Sequence, residues 1–291
     1  MAIRLEAKGD ITPEEIGQTN AAIAWAHARE GNYMQTPILV GDYLYACRTP
    51  RPGGGCALNI VLIDVTGHGV PAAMVTAAAQ RLLADDSGGR FLLGLGVSHQ
   101  PMVEGFMGMA YEKPLAAMKG YLDKLDDAFN VSPAPDEEPP RVLAALGPKM
   151  LALAAERSWG AHTYFVPPEH TTVAREALGE GPMLLVEQAV FLTDDPDEAR
   201  AVARRYMSTY LALPNYTNNL RRLGWADEDL AGEGSGKLVD AIVAWGDVDA
   251  VVSRVRAHQE AGADHVCLQV LTPDFTAVPM AEWEALAEAL L

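Results

Sequence analysis

Between residues 59 and 271, short apolar runs alternate with segments of helical pattern, and this alternation limits the fold more than any other feature of the chain. An apolar run of about four to eight residues is typical of a strand buried on both faces. Repeated strand–helix alternation predicts a parallel sheet with right-handed crossovers, so the expected fold class is α/β. The predicted strands cover residues 59–65, 91–97, 141–145, 161–166, 184–192 and 265–271.

Helical spacing and helix-end residues predict the connecting helices. Pro148 stands where a first-turn proline belongs, and Asp194 and Asp195 suit a cap and an acidic first turn. Gly262 stands where a helix would end. The predicted helices cover residues 71–84, 114–129, 148–158, 196–211, 248–261 and 281–290.

The first 57 residues do not follow this alternation. Residues 12–29 predict a capped helix, and residues 36–48 predict a β-hairpin. We therefore expect an atypical segment over residues 1–57 and an α/β core over residues 58–291. Within the core, the Pro-rich acidic stretch 132–140 predicts a surface loop. The polar stretch 215–236 predicts an insertion over the mouth of a barrel.

The charge balance excludes some classes of partner. Lys and Arg number 22 and Asp and Glu number 39, which gives a net charge of −17. Such a surface disfavours nucleic acids and anionic membranes, so the expected partner is a small-molecule substrate, and an anionic cofactor needs a locally positive pocket. The three cysteines, without CxxC spacing, favour a reducing, cytoplasmic setting. The sequence shows no secretory signal pattern and no apolar run of membrane length.

Two strand ends carry candidate chemistry. Gly147, Pro148 and Lys149 join a predicted strand to a predicted helix, where backbone N–H groups and the lysine cation suit a phosphate. His99 follows the strand 91–97 and could donate or accept a catalytic proton near neutral pH, as could His68 after the strand 59–65. An ordinary loop and hydrogen-bonded structural histidines are the alternatives.

Two weaker patterns point to other chemistry. Asp64 and His68 could belong to a metal site, although divalent cations need several oxygen ligands, and we predict no metal. The stretch GEGSGK at 232–237 lacks the flanking residues of a phosphate-binding loop and is expected to be a glycine-rich loop.

Four segments resemble one family in order and spacing, and they cover most of the last two-thirds of the chain. They are GGRFLLGLGVSHQPMVEG (88–105), RVLAALGPKMLALAAERSWGAHTYFVPPEHT (141–171), VFLTDDPDEARAVARRYMSTYLALPNYTNNLRRLG (190–224) and HQEAGADHVCLQVL (258–271). These segments are similar to the luciferase-like monooxygenases. Within that family they resemble the deazaflavin (coenzyme F-420) dependent oxidoreductases of actinobacteria.

This resemblance implies a (β/α)8, TIM-barrel-like fold with the cofactor at the carboxyl ends of the strands. Because the first 57 residues do not follow the strand–helix alternation, we expect the N-terminal part of the barrel to be irregular or incomplete. It implies hydride transfer between F-420 and an organic substrate, or an FMN-dependent monooxygenase as the alternative, in a homodimer. Some relatives carry a lysine after the strand that holds Thr163, whereas this chain has Pro167, Pro168 and Glu169. Helix-end amides would then have to bind the phosphate, and Arg175 or Lys149 could help. The resemblance implies cofactor contacts at Gly67, Ser98, Leu146, Gly147, Pro148 and Thr163.

The N-terminal third departs from the family. The stretch DVTGHGVPAAMVTA (64–77) resembles the metal-binding turn of 2C-class phosphatases, and residues 32–48 resemble a blade of quinoprotein β-propellers. A metal-dependent phosphatase and an inactive barrel are therefore the alternatives from other classes.

Overall fold

The computed structural model describes two compact units, which divide between Leu143 and Ala144. It describes the backbone at residues 2–4, 23–25, 39–40, 43–45, 59–64 and 106, and backbone with side chains at 76–77, 80–81, 83–84, 91–105, 108–128, 138–274 and 277–290. The expected boundary between residues 57 and 58 stays a prediction.

A small antiparallel sheet forms part of the first unit, with the strand order β2-β1-β4-β3. Its strands are β1 (Ala2–Arg4), β2 (Ile23–Trp25), β3 (Leu39–Val40) and β4 (Tyr43–Tyr45). The pairing of β3 with β4 confirms the predicted hairpin. The helix predicted over residues 12–29 is wrong at β2, whose isoleucine and tryptophan pair with β1 as a strand.

The same unit also contains three parallel strands, β5 (Asn59–Asp64), β6 (Phe91–Gly96) and β7 (Arg141–Ala144), with β6 in the middle. Every residue of β6 is buried, as its apolar sequence predicts. A π-helix, Pro101–Phe106, follows β6, and α1 (Pro114–Asp126) packs its apolar residues into the core. Within the predicted helix 71–84, the described residues are helical.

In the second unit, three parallel strands pair with one long strand. That strand is β9 (Met183–Leu192), and its partners are β8 (Gly160–Thr163), β10 (Val243–Gly246) and β11 (His265–Val270). Because β8 and β11 both pair with Leu185 and Val186, they flank β9 on opposite edges. The predicted strand 161–166 ends at Thr163, and Phe165 has a positive φ of 58° that turns the chain.

The described helices of the second unit follow these strands. They are α2 (Pro148–Arg157), α3 (Pro168–Leu178), α4 (Pro196–Leu211), α5 (Pro214–Arg222), α6 (Asp227–Leu230), α7 (Gly236–Ile242), α8 (Val248–Glu260) and α9 (Met280–Leu290). The predictions for α2, α4, α8 and α9 are confirmed to within one residue. No described helix is long and apolar enough to cross a membrane.

The sequence analysis missed α3, α5, α6, α7 and β10. The stretch 215–236, predicted as a polar insertion, holds all of α6 and most of α5. The buried face of α5 includes Thr217 and Asn219, and that of α3 includes His170 and Thr171, so polar residues hide the apolar period of both helices.

The two faces of β9 have different surroundings. Gln188 accepts a hydrogen bond from His258 of α8 (2.9 Å between Oε1 and Nε2), so its face is the one covered by helices. Side chains alternate along a strand, and residues that pair in register share a face. The face opposite Gln188 therefore carries His162, Leu185, Glu187, Ala189, His265, Cys267 and Gln269.

Candidate functional site

The turn after β7 starts α2 without a capping side chain. Gly147 is the N-cap residue with extended backbone angles, and Pro148, which has no N–H group, is the first helical residue. Lys149 is exposed and supplies the next backbone N–H group. Met150 and Leu151 donate their N–H groups to the Gly147 carbonyl oxygen (3.1 and 3.0 Å), so the Lys149 amide remains for water or a ligand, and the helix dipole favours an anion there.

Arg222 at the end of α5 lies beside this turn. A Cβ atom built on Gly147 would lie 3.5 Å from Nη2 of Arg222, which donates a hydrogen bond to Oδ1 of Asn219 (3.1 Å). The positive charge that an anion requires is therefore next to the glycine. The sequence showed Arg222 only as part of NNLRRLG, with nothing to connect it to a turn 75 residues earlier.

Arg175, which was expected to help bind a phosphate, has structural partners here, and that role stays a prediction. Its guanidinium group donates to the carbonyl oxygens of Gly262 (2.9 Å), Gly179 (2.6 Å) and Pro182 (2.9 Å). It also pairs with Asp264 at 2.5 Å. These partners use four of its five N–H donors and hold it to the connections that precede β9 and β11.

Two buried side chains near the turn have unused polar atoms. Nε2 of His170 donates to the carbonyl oxygen of Leu146 (3.0 Å), which leaves Nδ1 as an acceptor. Burial lowers the pKa of His170, and the charge of Arg222 lowers it further. Within the described part of the chain, Nδ1 of His170 and Nδ2 of Asn219 have no hydrogen-bond partner. The Asn219 side chain is nonetheless a hydrogen-bonding neighbour of His170, so this acceptor and this donor can serve each other rather than a ligand.

An aromatic cluster follows β8, and we call it the tyrosine cluster. Its members are Tyr164, Phe165, Tyr206, Tyr210 and Tyr216, with ring centroids 5.0 to 6.3 Å apart. Leu146 of the Gly147 turn packs against the same apolar core. The cluster therefore continues from the turn towards α4 and α5.

Hydroxyl groups connect part of this cluster. The Tyr164 hydroxyl donates to Oε1 of Gln269 (2.7 Å) and lies 2.8 Å from the Tyr210 hydroxyl. Because Tyr164 has one hydroxyl proton, Tyr210 is the donor in that second bond.

Glu187 lies beneath the cluster and is 1% exposed. Its Oε2 accepts a hydrogen bond from the Phe165 N–H (3.1 Å), and its Oε1 accepts one from the Tyr206 hydroxyl (3.4 Å). Burial raises the pKa of Glu187 to about 7, against the smaller opposite effect of these two donors. The sequence analysis missed this residue, although a carboxyl group inside the apolar run 184–192 was a signal for it.

Thr163 ends β8 on the helix-covered face, since it pairs with Val186. It is fully buried, and its hydroxyl has no hydrogen-bond partner among the described residues. The cofactor contact expected at Thr163 stays a prediction.

Ser98 and His99 belong to the first unit. Ser98 has a positive φ of 56°, and its carbonyl oxygen accepts a hydrogen bond from the Tyr111 hydroxyl (3.2 Å). The His99 carbonyl oxygen accepts from the N–H groups of Met102 and Val103 (both 3.0 Å) at the start of the π-helix. Local π-helical turns are frequent at functional sites, so the strand end is a reasonable place for the predicted chemistry.

The remaining predicted positions carry less information. Gly67, His68 and the Asp64 side chain lie outside the described residues, so the phosphatase-like pattern stays untested. Among the residues that are described, no three His, Cys, Asp or Glu side chains could hold a metal ion together. Within GEGSGK, Ser235 caps α7 by accepting from the Leu238 N–H (3.2 Å).

Comparison with known proteins identifies the family. The sequence profile of the luciferase-like monooxygenases matches residues 68–265. The chain belongs to the luciferase-like monooxygenase family. It is an oxidoreductase with the α/β, TIM-barrel-like fold of that family.

A candidate coenzyme F-420-dependent oxidoreductase of Mycobacterium tuberculosis is 27% identical over 288 residues, covering 77% of this chain and 82% of that protein. The F-420-dependent tetrahydromethanopterin reductase of Methanopyrus kandleri superposes with a TM-score of 0.58 at 18% identity, over 78% of this chain and 83% of that one. The oxygenating component of a 3,6-diketocamphane monooxygenase of Pseudomonas putida, solved with FMN, superposes with a TM-score of 0.51 at 18% identity. The superposition covers 78% of this chain and 77% of that one.

Proposed function

We propose that this luciferase-like oxidoreductase transfers a hydride between coenzyme F-420 and a small organic substrate. The observation that carries the proposal is the positive charge of Arg222 beside the glycine-capped start of α2. The Mycobacterium tuberculosis relative, whose name refers to F-420, supports the choice of cofactor. The deazaflavin ring, when bound, supplies the hydride chemistry.

The Gly147 turn fits a phosphate group for three reasons. The absence of a side chain at Gly147 lets an anion approach the backbone, and Lys149 offers an amide and an exposed cation. Arg222 supplies the charge that a chain with a net charge of −17 must provide locally. Leu146 and Pro148 complete this part of the proposed site.

Further roles follow from the family resemblance. Ser98, Gly67 and Thr163 are proposed as additional cofactor contacts, and His99 as the group that holds the proton accompanying the hydride, with His68 as a second candidate. His99 lies at the end of β6, where a barrel enzyme carries its reacting groups. We also propose that the enzyme is cytoplasmic and works as a homodimer. Sedimentation of the purified protein would test the homodimer.

Fluorescence titration of the purified chain with F-420 tests the cofactor. We expect saturable binding that Arg222→Ala weakens about tenfold or more, because a charge-assisted bond to phosphate is lost. Arg221→Ala is the matched control. It removes the same charge from the same helix, but Arg221 pairs with Asp227 at 2.7 Å. Equal effects of the two variants would contradict the placement of the phosphate at Gly147.

FMN is the second candidate cofactor, because the Pseudomonas putida structure contains it. Both cofactors carry a phosphate, so the Gly147 turn does not distinguish them. The same titration with FMN does. Tight binding of FMN without binding of F-420 would replace the first proposal with an FMN-dependent monooxygenase.

A further inference from the structure

Glu187 is the buried carboxyl group of the second unit that the proposed hydride transfer leaves without a role. It lies in the middle of β9, on the face opposite the helix-bonded Gln188. A buried carboxyl group without a cation is costly, so its partners have to account for its presence. Burial, the Phe165 N–H and the Tyr206 hydroxyl are the influences on its pKa, and none of them is a positive charge.

The first partner is a turn in an unfavourable conformation. Phe165 is 1% exposed and has a φ of 58°, a region of backbone angles that is unfavourable for a residue with a side chain. Its N–H donates to Oε2 of Glu187 (3.1 Å). The carboxyl group thus stabilises the left-handed conformation of Phe165 through a charge-assisted hydrogen bond.

The second partner connects Glu187 to the hydroxyl groups above it. The Tyr206 hydroxyl donates to Oε1 of Glu187 and also interacts with the Tyr164 hydroxyl. Tyr164 continues the connection to Tyr210, which is partly exposed. A carboxylate can only accept from Tyr206, whereas a protonated carboxyl group can donate to it and release the Tyr206 proton towards Tyr164.

The titratable neighbours of Glu187 come from three elements: Tyr206 from α4, Tyr164 from the end of β8, and Cys267 from β11. Cys267 pairs with Glu187 in register, and burial raises the pKa of its thiol to about 12. Burial also raises the pKa values of Tyr164 and Tyr206 well above their usual range. Glu187 is therefore the member of this group that changes charge near neutral pH.

We propose that Glu187 is a positioning residue that holds Phe165 in its left-handed conformation and sets the direction of the Tyr206–Tyr164–Tyr210 hydroxyl network. Because Leu146 of the Gly147 turn packs against the same core, the charge of Glu187 also influences cofactor binding. This last step rests on the proposed function, whereas the control of Phe165 does not.

Nuclear magnetic resonance of the cofactor-free chain, labelled with ¹⁵N-phenylalanine, tests the proposal directly. The chain has six phenylalanines, and a Phe165→Leu variant assigns the signal of Phe165. We expect this amide signal to titrate with a midpoint near the pKa of about 7 for Glu187. Glu187→Gln should abolish the titration, and Tyr206→Phe should raise its midpoint, because the Tyr206 hydrogen bond lowers that pKa.

Cofactor binding is the second readout. The Kd for F-420 should change about fivefold or more across the same midpoint in the wild type and stay flat in Glu187→Gln. Glu176→Gln, the same change at an exposed position of α3, should behave as the wild type. A Phe165 signal that does not move between about pH 5.5 and 8.5, or that moves equally in Glu187→Gln, would overturn the proposal. A normal Phe165 titration without F-420 binding would overturn the proposed function alone.

Discussion

At the scale of single residues, burial shifts the pKa values of two titratable groups of the second unit in opposite directions. His162 and Glu187 lie on the same face of the sheet and are 2% and 1% exposed. Burial lowers the pKa of His162 to about 4 and raises that of Glu187 to about 7, because it disfavours the charged form of each. Both groups therefore favour their neutral forms in the folded chain.

The histidine makes a prediction for acid stability. Below its unfolded pKa of 6.5, His162 takes up a proton in the unfolded chain but not in the folded one until the pH approaches 4. The contribution of His162 to the unfolding free energy is thus fully present above pH 6.5 and is lost as the pH falls towards 4. When the pH falls from 7 to 4, the unfolding free energy of the wild type should decrease by about 3 kcal/mol more than that of His162→Gln. Urea titrations of both proteins at the two pH values measure this difference. Parallel losses in both proteins would contradict this. The ionisation of Glu187 contributes equally to the pH dependence of both proteins, so it cancels in the comparison.

At the scale of elements, the start of α4 decides where two members of the tyrosine cluster lie. Asp195 accepts hydrogen bonds from the N–H groups of Asp197 (2.9 Å) and Glu198 (3.2 Å). Glu198 in turn accepts from the Thr193 hydroxyl (2.8 Å). This arrangement satisfies amides that the helix leaves unpaired, and the carboxylates suit its positive end. Tyr206 and Tyr210 lie further along the same helix.

Asp195→Ala should therefore lower the unfolding free energy by about 1 kcal/mol, seen as a lower midpoint in urea. Asp194→Ala is the matched control. Asp194 is the exposed neighbour, and its loss removes the same charge without the cap. Comparable effects of the two variants would show that net charge, rather than capping, is responsible.

At the scale of the molecule, Arg175 ties together three segments of the second unit. It donates hydrogen bonds to the end of α3, to the connection before β9 and to the connection between α8 and β11. Its partner Asp264 accepts a hydrogen bond from the Leu184 N–H (2.7 Å). Carbonyl groups and one carboxylate thus surround a side chain that is 19% exposed. Removing it leaves several acceptors unpaired at once.

We expect Arg175→Met to lower the unfolding free energy by about 2–3 kcal/mol, whereas F-420 binding at the Gly147 turn should be unchanged in protein that remains folded. Arg256→Met, on the exposed side of α8, should change stability by less than about 0.5 kcal/mol. Loss of cofactor binding in folded Arg175→Met would return Arg175 to the phosphate site.

The predicted elements differ in how well local patterns described them. The α4 boundaries follow directly from Asp195, Pro196 and the apolar spacing behind them, since a cap and a first-turn proline act within one turn. The helix α5 was missed because its buried face includes Thr217 and Asn219, which find their place only against neighbouring elements. The early end of β8 depends on the turn at Phe165, which a distant carboxyl group supports.

By itself, the sequence determined the α/β alternation, the buried strand Phe91–Gly96, the glycine-capped turn at Gly147 and the resemblance to luciferase-like enzymes. These features depend on neighbours within a few residues or on segments in a fixed order. Only the tertiary structure placed Arg222 beside Gly147 and Glu187 beneath Phe165 and Tyr206. Such contacts depend on strand register and on how helices pack across a sheet, and no local period in the sequence encodes which polar side chains will meet there.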